Sequence, residues 1–144
     1  MDPTTNAKGI PIYQAAAFTF DSVSQLRERF GVDTGGKSKL YTRIGNPTVE
    51  AFERRVAVLE GGVAAVAVPS GQAAQFIALT TLARAGDNIV ASSLLYGGTI
   101  HQFGVFLERY GVSVKFAKGN DPVSMESLID DKTKAIYCET ISNP

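Results

Sequence analysis

The sequence predicts an α/β fold with a mainly parallel sheet, and three features predict it. From residue 46 onward, apolar runs of strand length alternate with helical patterns, the order expected of parallel strands joined by right-handed helical crossovers. Val63 to Val68 is a continuous apolar run, which suits a strand buried on both faces. Val66-Ala67-Val68-Pro69-Ser70-Gly71-Gln72-Ala73-Ala74 then reads as a strand, a small-residue turn and the opening of a helix. The first N–H groups of such a helix lack partners within it, so they point past the strand end and suit an anion, most naturally one phosphate.

Residues 1–45 read as irregular, with a short helix over Ser24 to Phe30 and a flexible loop at Gly35-Gly36-Lys37-Ser38. Asn46 can cap a helix whose first turn accepts Pro47. Val49, Phe52, Val56 and Leu59 give that helix one apolar face, and Gly61-Gly62 ends it. After the Val63 to Val68 strand, a nearly all-apolar helix runs from Gln72 to Ala85 and stops at Gly86. Asn88 to Ser92 is a second strand. A helix over Gly98 to Tyr110 follows, with Ile100, Phe103, Phe106, Leu107 and Tyr110 inward and Gly111 as its stop. Val112 to Ala117 alternates apolar and polar, as an edge strand does. Asp121-Pro122 opens a short helix through Asp130, and Lys134 to Thr140 is a last apolar strand. Cys138 within it reads as a buried core residue.

Composition narrows the function. The chain has 144 residues, 44% of them apolar and 19% charged, which suits one folded domain. Fourteen basic and fourteen acidic residues leave no basic surface for nucleic acid. One cysteine and one histidine, Cys138 and His101, rule out an internal disulfide and a multi-histidine metal site. No apolar run reaches membrane length and the N-terminus is polar, so a cytoplasmic protein is expected. Met1 to Asn6 looks like the middle of a loop, and Ser142-Asn143-Pro144 follows directly on a strand; a piece of a longer protein is therefore expected.

In a parallel sheet ligands gather beyond the carboxyl ends of the strands. The residues there are Ser70-Gly71-Gln72, Ser93 to Gly98, Gly119-Asn120 and Ile141 to Pro144. G-x-x-x-x-G-K-[ST] and G-x-G-x-x-G are both missing, so one phosphate of a small cofactor fits better than a nucleotide. Tyr96 can lay its ring on a flat ligand and still present a hydroxyl, or simply pack over a helix start. Gly97 and Gly98 let the backbone turn and approach closely. Arg43 can clamp a phosphate with Tyr41 adding a hydroxyl donor, or be a solvated loop residue. Asn143 can donate to a ring oxygen or belong to an ordinary Asn-Pro turn. Glu139, inside an apolar strand, needs a partner.

The motifs Y-T-R-x-G-N-P-T, L-E-G-G-x-A-A-x-A-x-x-S-G-Q-A-A, L-Y-G-G-T and E-T-I-S-N-P, in that order, resemble the Cys/Met-metabolism family of pyridoxal-phosphate (PLP) enzymes over nearly the whole chain. The resemblance implies the large α/β domain of a fold-type-I, aspartate-aminotransferase-like transferase. It makes residues 1–45 an arm against a neighbouring subunit and 46–144 the first part of the PLP-binding domain. Gln72, the opening D-P-T-T-N-A and P-I-Y-Q resemble the sulfhydrylase branch, which makes homocysteine from O-acetylhomoserine and sulfide; cystathionine gamma-synthase, gamma-lyase or methionine gamma-lyase types, or a non-catalytic binding module, are the alternatives. By the same resemblance Ser70, Gly71 and Gln72 bind the cofactor phosphate, Tyr96 stacks on its ring and assists proton transfers, and Asn143 lies near the ring oxygen. Tyr41 and Arg43 reach the phosphate of a neighbouring subunit in a tetramer built from dimers. The substrate is a small amino acid. The family's cofactor-bonding lysine and its acid beside the pyridine nitrogen lie beyond the Asn-Pro motif, so residues 1–144 alone are expected to be inactive.

Overall fold

The computed structural model describes residues 5–30 and 40–141. In chain order the elements are α1 (Val23–Phe30), α2 (Pro47–Leu59), α3 (Gly71–Leu82), β1 (Asn88–Ser92), α4 (Gly97–His101, continued as a π-helix over Gln102–Leu107), β2 (Ser113–Ala117), α5 (Pro122–Glu126) and β3 (Thr133–Tyr137). They divide into two compact units, residues 1–67 and 68–144. The glycine loop at 35–38 and Asn143 lie outside the described residues.

The second unit is organised by β1. It lies between β2 and β3 and pairs with both in parallel, Ile89 opposite Val114 on one side and Ala135 on the other. All five of its residues are buried. Side chains alternate across a strand, so β1 feeds two layers. Ile89 and Ala91 face α3 and α4, in a core with Leu79, Ala83, Leu95, Phe103, Leu107 and Val112. Val90 faces the other way, with Ala117 of β2 and Met125 of α5. The strand has the bounds its sequence predicts, and among the described residues β2 lies at one edge of the sheet.

The amino edge of the sheet is stitched by polar groups. Asn88 donates to Asp130 at 2.8 Å and accepts from Thr133 Oγ1 at 2.8 Å, while Lys115 Nζ donates to Asp130 at 2.6 Å and to the Leu128 carbonyl at 3.0 Å. The Lys115 ammonium, and after it the Asn88 amide, hold the Asp130 carboxyl well below the usual carboxylate range. Polar satisfaction is good here: among the described residues no buried side-chain nitrogen or oxygen lacks a partner.

Helix starts follow their caps. Asn46 Oδ1 accepts the Thr48 N–H, Ser70 Oγ accepts the Ala73 N–H, and Asp121 accepts from Val123 and Ser124. In the first unit Asn46 also ties the loop ahead of α2 to the opening segment, donating to the Tyr13 carbonyl at 2.9 Å and to Thr42 Oγ1 at 3.1 Å. Thr42 N–H donates to the Ala16 carbonyl at 2.8 Å, and Tyr41 forms an antiparallel bridge with Ala17.

Five expectations need correction. Val63 to Val68 is not a buried strand: Val63 and Val66 are exposed, and among the described residues no strand pairs with the run. A strand exists only through a ladder partner; here the Ala67 N–H donates instead to Glu53 of α2, at 2.7 Å. The apolar face of α2 is open too, with only Ala57 buried. In α4, Phe103 and Leu107 are inward but Ile100, Phe106 and Tyr110 are exposed. The π-helical register widens the turn, so Thr99, Phe103 and Leu107, four apart, make the buried stripe. Cys138 is exposed rather than core, because β3 ends at Tyr137 and its Lys134–Ile136–Cys138 side is uncovered. Glu139 likewise stands beyond the strand rather than within it.

Gly111 closes the turn from α4 into β2. Its φ is +77°, and an added Cβ would lie 2.9 Å from the Ala85 Cβ and 3.2 Å from the Ala85 Cα. Gly111→Ala should destabilise the full-length protein by roughly 1–3 kcal/mol, read from denaturant midpoints. An unchanged midpoint would mean that this turn is not tight.

Candidate functional site

Because β1, β2 and β3 run parallel, the segments that follow them all emerge at one edge of the sheet. Ser92, the last residue of β1, donates through Oγ to Asn120 Oδ1 at 2.5 Å, and the Gly119 N–H donates to Ser93 Oγ at 2.9 Å. Beyond β3, both carboxylate oxygens of Glu139 lie 3.2 Å from the Tyr96 N–H. The loops after all three strands are thus hydrogen-bonded into one rim. Glu139 thus has a partner although it lies outside the strand, a backbone N–H rather than a cation.

Two of the expected site segments meet on this rim. Ser70 caps α3 and takes the Ala73 N–H at 3.1 Å with its hydroxyl, while its carbonyl takes the Ala74 N–H at 3.0 Å. Among the described residues this leaves the Gly71 and Gln72 N–H groups as the donors at the helix start. A Cβ at Gly71 would meet nothing within 4 Å, so the turn faces open space. The Gln72 amide reaches Thr99 Oγ1 of α4 at 3.4 Å, and the Gln102 amide donates back to the Gln72 carbonyl at 3.1 Å. The first turn of α3 is therefore held beside α4, whose N-cap is Tyr96.

The sequence reading missed the group that makes this connection. Gln75 Nε2 donates to Gln102 Oε1 at 2.7 Å, and Gln75 Oε1 accepts from Tyr137 Oη at 2.9 Å. Thr99, 2% exposed, sits among these amides. Partial burial, and after it the charge of Glu139, push the Tyr137 phenol above its usual value, so it stays a neutral donor. The available signal was Gln72 and Gln75 spaced three apart on an otherwise apolar helix, where polar residues on one face must find partners.

Tyr96 is half exposed, with its ring folded over Gly98. Neither Gly97 nor Gly98 has positive φ, so a strained turn is not what these glycines serve. Gly98 instead makes room: a Cβ there would lie 2.5 Å from Tyr96 Cε1. Tyr41 and Arg43 belong to the first unit, with the Arg43 guanidinium 5.5 Å from the centre of the Tyr41 ring. His101 is exposed against the edge of Phe106. Of the described lysines, Lys8, Lys118, Lys132 and Lys134 are exposed and Lys115 is paired with Asp130, so none is a desolvated amine.

A family model for Cys/Met metabolism PLP-dependent enzymes matches residues 1–144. The chain belongs to that family. Its relatives include a sulfhydrylase of Fusarium oxysporum, 49% identical over 99% of the chain and 33% of the relative, and O-acetyl-L-homoserine sulfhydrylase 1 of Thermus thermophilus, 47% identical over 99% of the chain and 34% of the relative. A putative O-acetylhomoserine (thiol)-lyase of Campylobacter jejuni, solved with N'-pyridoxyl-lysine-5'-monophosphate, superposes with a TM-score of 0.87 at 37% identity, over 99% of the chain and 35% of that structure. The fold is thus that of fold-type-I PLP enzymes, and the chain spans about a third of the length of the curated relatives it matches. As a Cys/Met-metabolism PLP-dependent chain it carries an open helix-start turn and an exposed tyrosine ring on one rim, and both suit a flat phosphorylated cofactor.

Gly98→Ala should drive the Tyr96 ring back by roughly 1 Å to restore ordinary van der Waals contact, with the fold retained because alanine suits a helix start. A crystal structure of the full-length variant checks this; a ring left in place would refute the close approach.

Proposed function

We propose that this chain forms the phosphate-binding and ring-stacking side of the site in an enzyme that makes homocysteine from O-acetylhomoserine and sulfide, with PLP as cofactor. One observation carries the reading: the open Ser70-Gly71-Gln72 turn is tied by hydrogen bonds to α4, the helix that Tyr96 opens. The sulfhydrylase names of the relatives support the reaction, and the substrate is accordingly a small amino acid.

In this reading the Gly71 and Gln72 N–H groups bind the cofactor phosphate at the positive end of α3, while Ser70 stays committed to its cap. The Tyr96 ring covers one face of the pyridine, and its hydroxyl exchanges protons with the substrate. Asn143 donates to the ring oxygen. Once bound, the cofactor supplies the electron sink for the substrate's carbon skeleton. Tyr41 and Arg43 serve the phosphate of a neighbouring subunit, with residues 1–45 as the arm that carries them, in a tetramer of dimers. Among the described residues no helix is long and apolar enough to cross a membrane, and the cytoplasm is the compartment that this metabolism suits.

Gly71→Val in the full-length protein should keep the fold, since nothing lies within 4 Å of the new Cβ. PLP affinity, read by absorbance titration, should fall about a hundredfold, because two charge-assisted hydrogen bonds at roughly 1.5 kcal/mol each are displaced. Unchanged affinity would remove the phosphate from this turn. Arg43→Ala should weaken PLP about tenfold with an unchanged unfolding midpoint. Crosslinking within a single subunit between positions 43 and 70 would contradict the arm's role across the boundary.

A further inference from the structure

The three helices that leave the rim are not started in the same way. Ser70 and Asp121 cap α3 and α5 with their own side chains, but Tyr96 makes no side-chain cap on α4. Its backbone, at φ −51° and ψ 134°, is turned out of the helix, and its N–H is taken by a carboxylate 43 positions downstream. Both Glu139 oxygens are equally distant from that N–H, at 3.2 Å. The negative charge also stands at the positive end of a continuous helical stretch from Gly97 to Leu107. The Tyr96 ring is half exposed and folds over Gly98, a residue with no side chain to grip it. The direction of the ring therefore depends on the backbone from which it stands, and Glu139 is what holds that backbone from outside the helix.

We propose that Glu139 is the positioning residue for Tyr96. It orients the tyrosine for its ligand by clamping the N–H rather than by touching the ligand. A carboxylate is the group for this task, because it offers two acceptor oxygens and a charge that strengthens the bond to the N–H. The proposal rests on the reading of Tyr96 as the ring-stacking residue, and it can fail separately from that reading.

The test uses the full-length protein labelled with 3-fluorotyrosine, with the Tyr96 fluorine resonance assigned by Tyr96→Phe. Glu139→Ala should shift and broaden that resonance in cofactor-free protein. It should also weaken PLP roughly tenfold, the loss of about one charge-assisted hydrogen bond, and change the visible circular dichroism of the bound cofactor. Glu139→Gln keeps one acceptor oxygen and should restore most of both signals. If Glu139→Ala does not fold, Glu139→Asp, one carbon shorter, should fold and still displace the Tyr96 resonance. Tyr137→Phe, which removes a rim hydrogen bond made to Gln75 and not to the Tyr96 N–H, is the structural control. A Tyr96 resonance unmoved in Glu139→Ala or Glu139→Asp would overturn the proposal, as would equal effects of Tyr137→Phe on the resonance and on the dichroism. If the wild type takes up no PLP, the cofactor reading falls, while the fluorine arm still decides whether Glu139 orients Tyr96.

Discussion

The second unit depends on a strand with no face to spare. All five residues of β1 are buried, and parallel neighbours take its hydrogen bonds on both sides. A parallel sheet buried in this way must carry helices on both faces, and each crossover must return the chain to the same end. Helices α3 and α4 on one face and α5 on the other meet that demand. The rim of loops is a by-product of the same geometry: parallel strands finish together, so Ser92, Ala117 and Tyr137 release their loops at one edge.

The two edges of the sheet use polar groups differently. At the amino edge Asn88, Lys115, Asp130 and Thr133 satisfy one another. At the carboxyl edge the amides of Gln72, Gln75 and Gln102 brace α3 against α4, but the donors at the start of α3 stay open and the ring of Tyr96 stays half exposed. A braced frame around open donors is what a preorganised site requires, since the ordering cost then falls on folding rather than on binding.

Local chemistry was legible in the sequence, and coverage was not. Asn46, Ser70 and Asp121 announce their helices because a cap acts within three residues. The bounds of β1 follow from five buried residues between turn signals. Val63 to Val68 carries the same apolar signal and forms no strand among the described residues, because composition marks a segment as fit for burial without naming its ladder partner. Cys138 misled for the same reason, since alternation reveals two faces but not which one is covered. Phe106, inside the π-helical turn over Gln102–Leu107, stands outward, and a 3.6-residue period cannot register such a turn. At the rim, Ser70, Gly71, Gln72 and Tyr96 could be singled out in the sequence because small residues and an aromatic at strand ends are local signals. The partners Gln75, Gln102 and Glu139 act across 24 to 62 positions and became visible only in three dimensions.

The central claim is that the rim between α3 and α4 holds the phosphate and ring of PLP. A crystal structure of the full-length protein grown with PLP tests it most directly. The account predicts phosphate oxygens within hydrogen-bond distance of the Gly71 and Gln72 N–H groups and the pyridine ring against Tyr96. A cofactor bound elsewhere, with that turn open and the tyrosine ring uncovered, would contradict it.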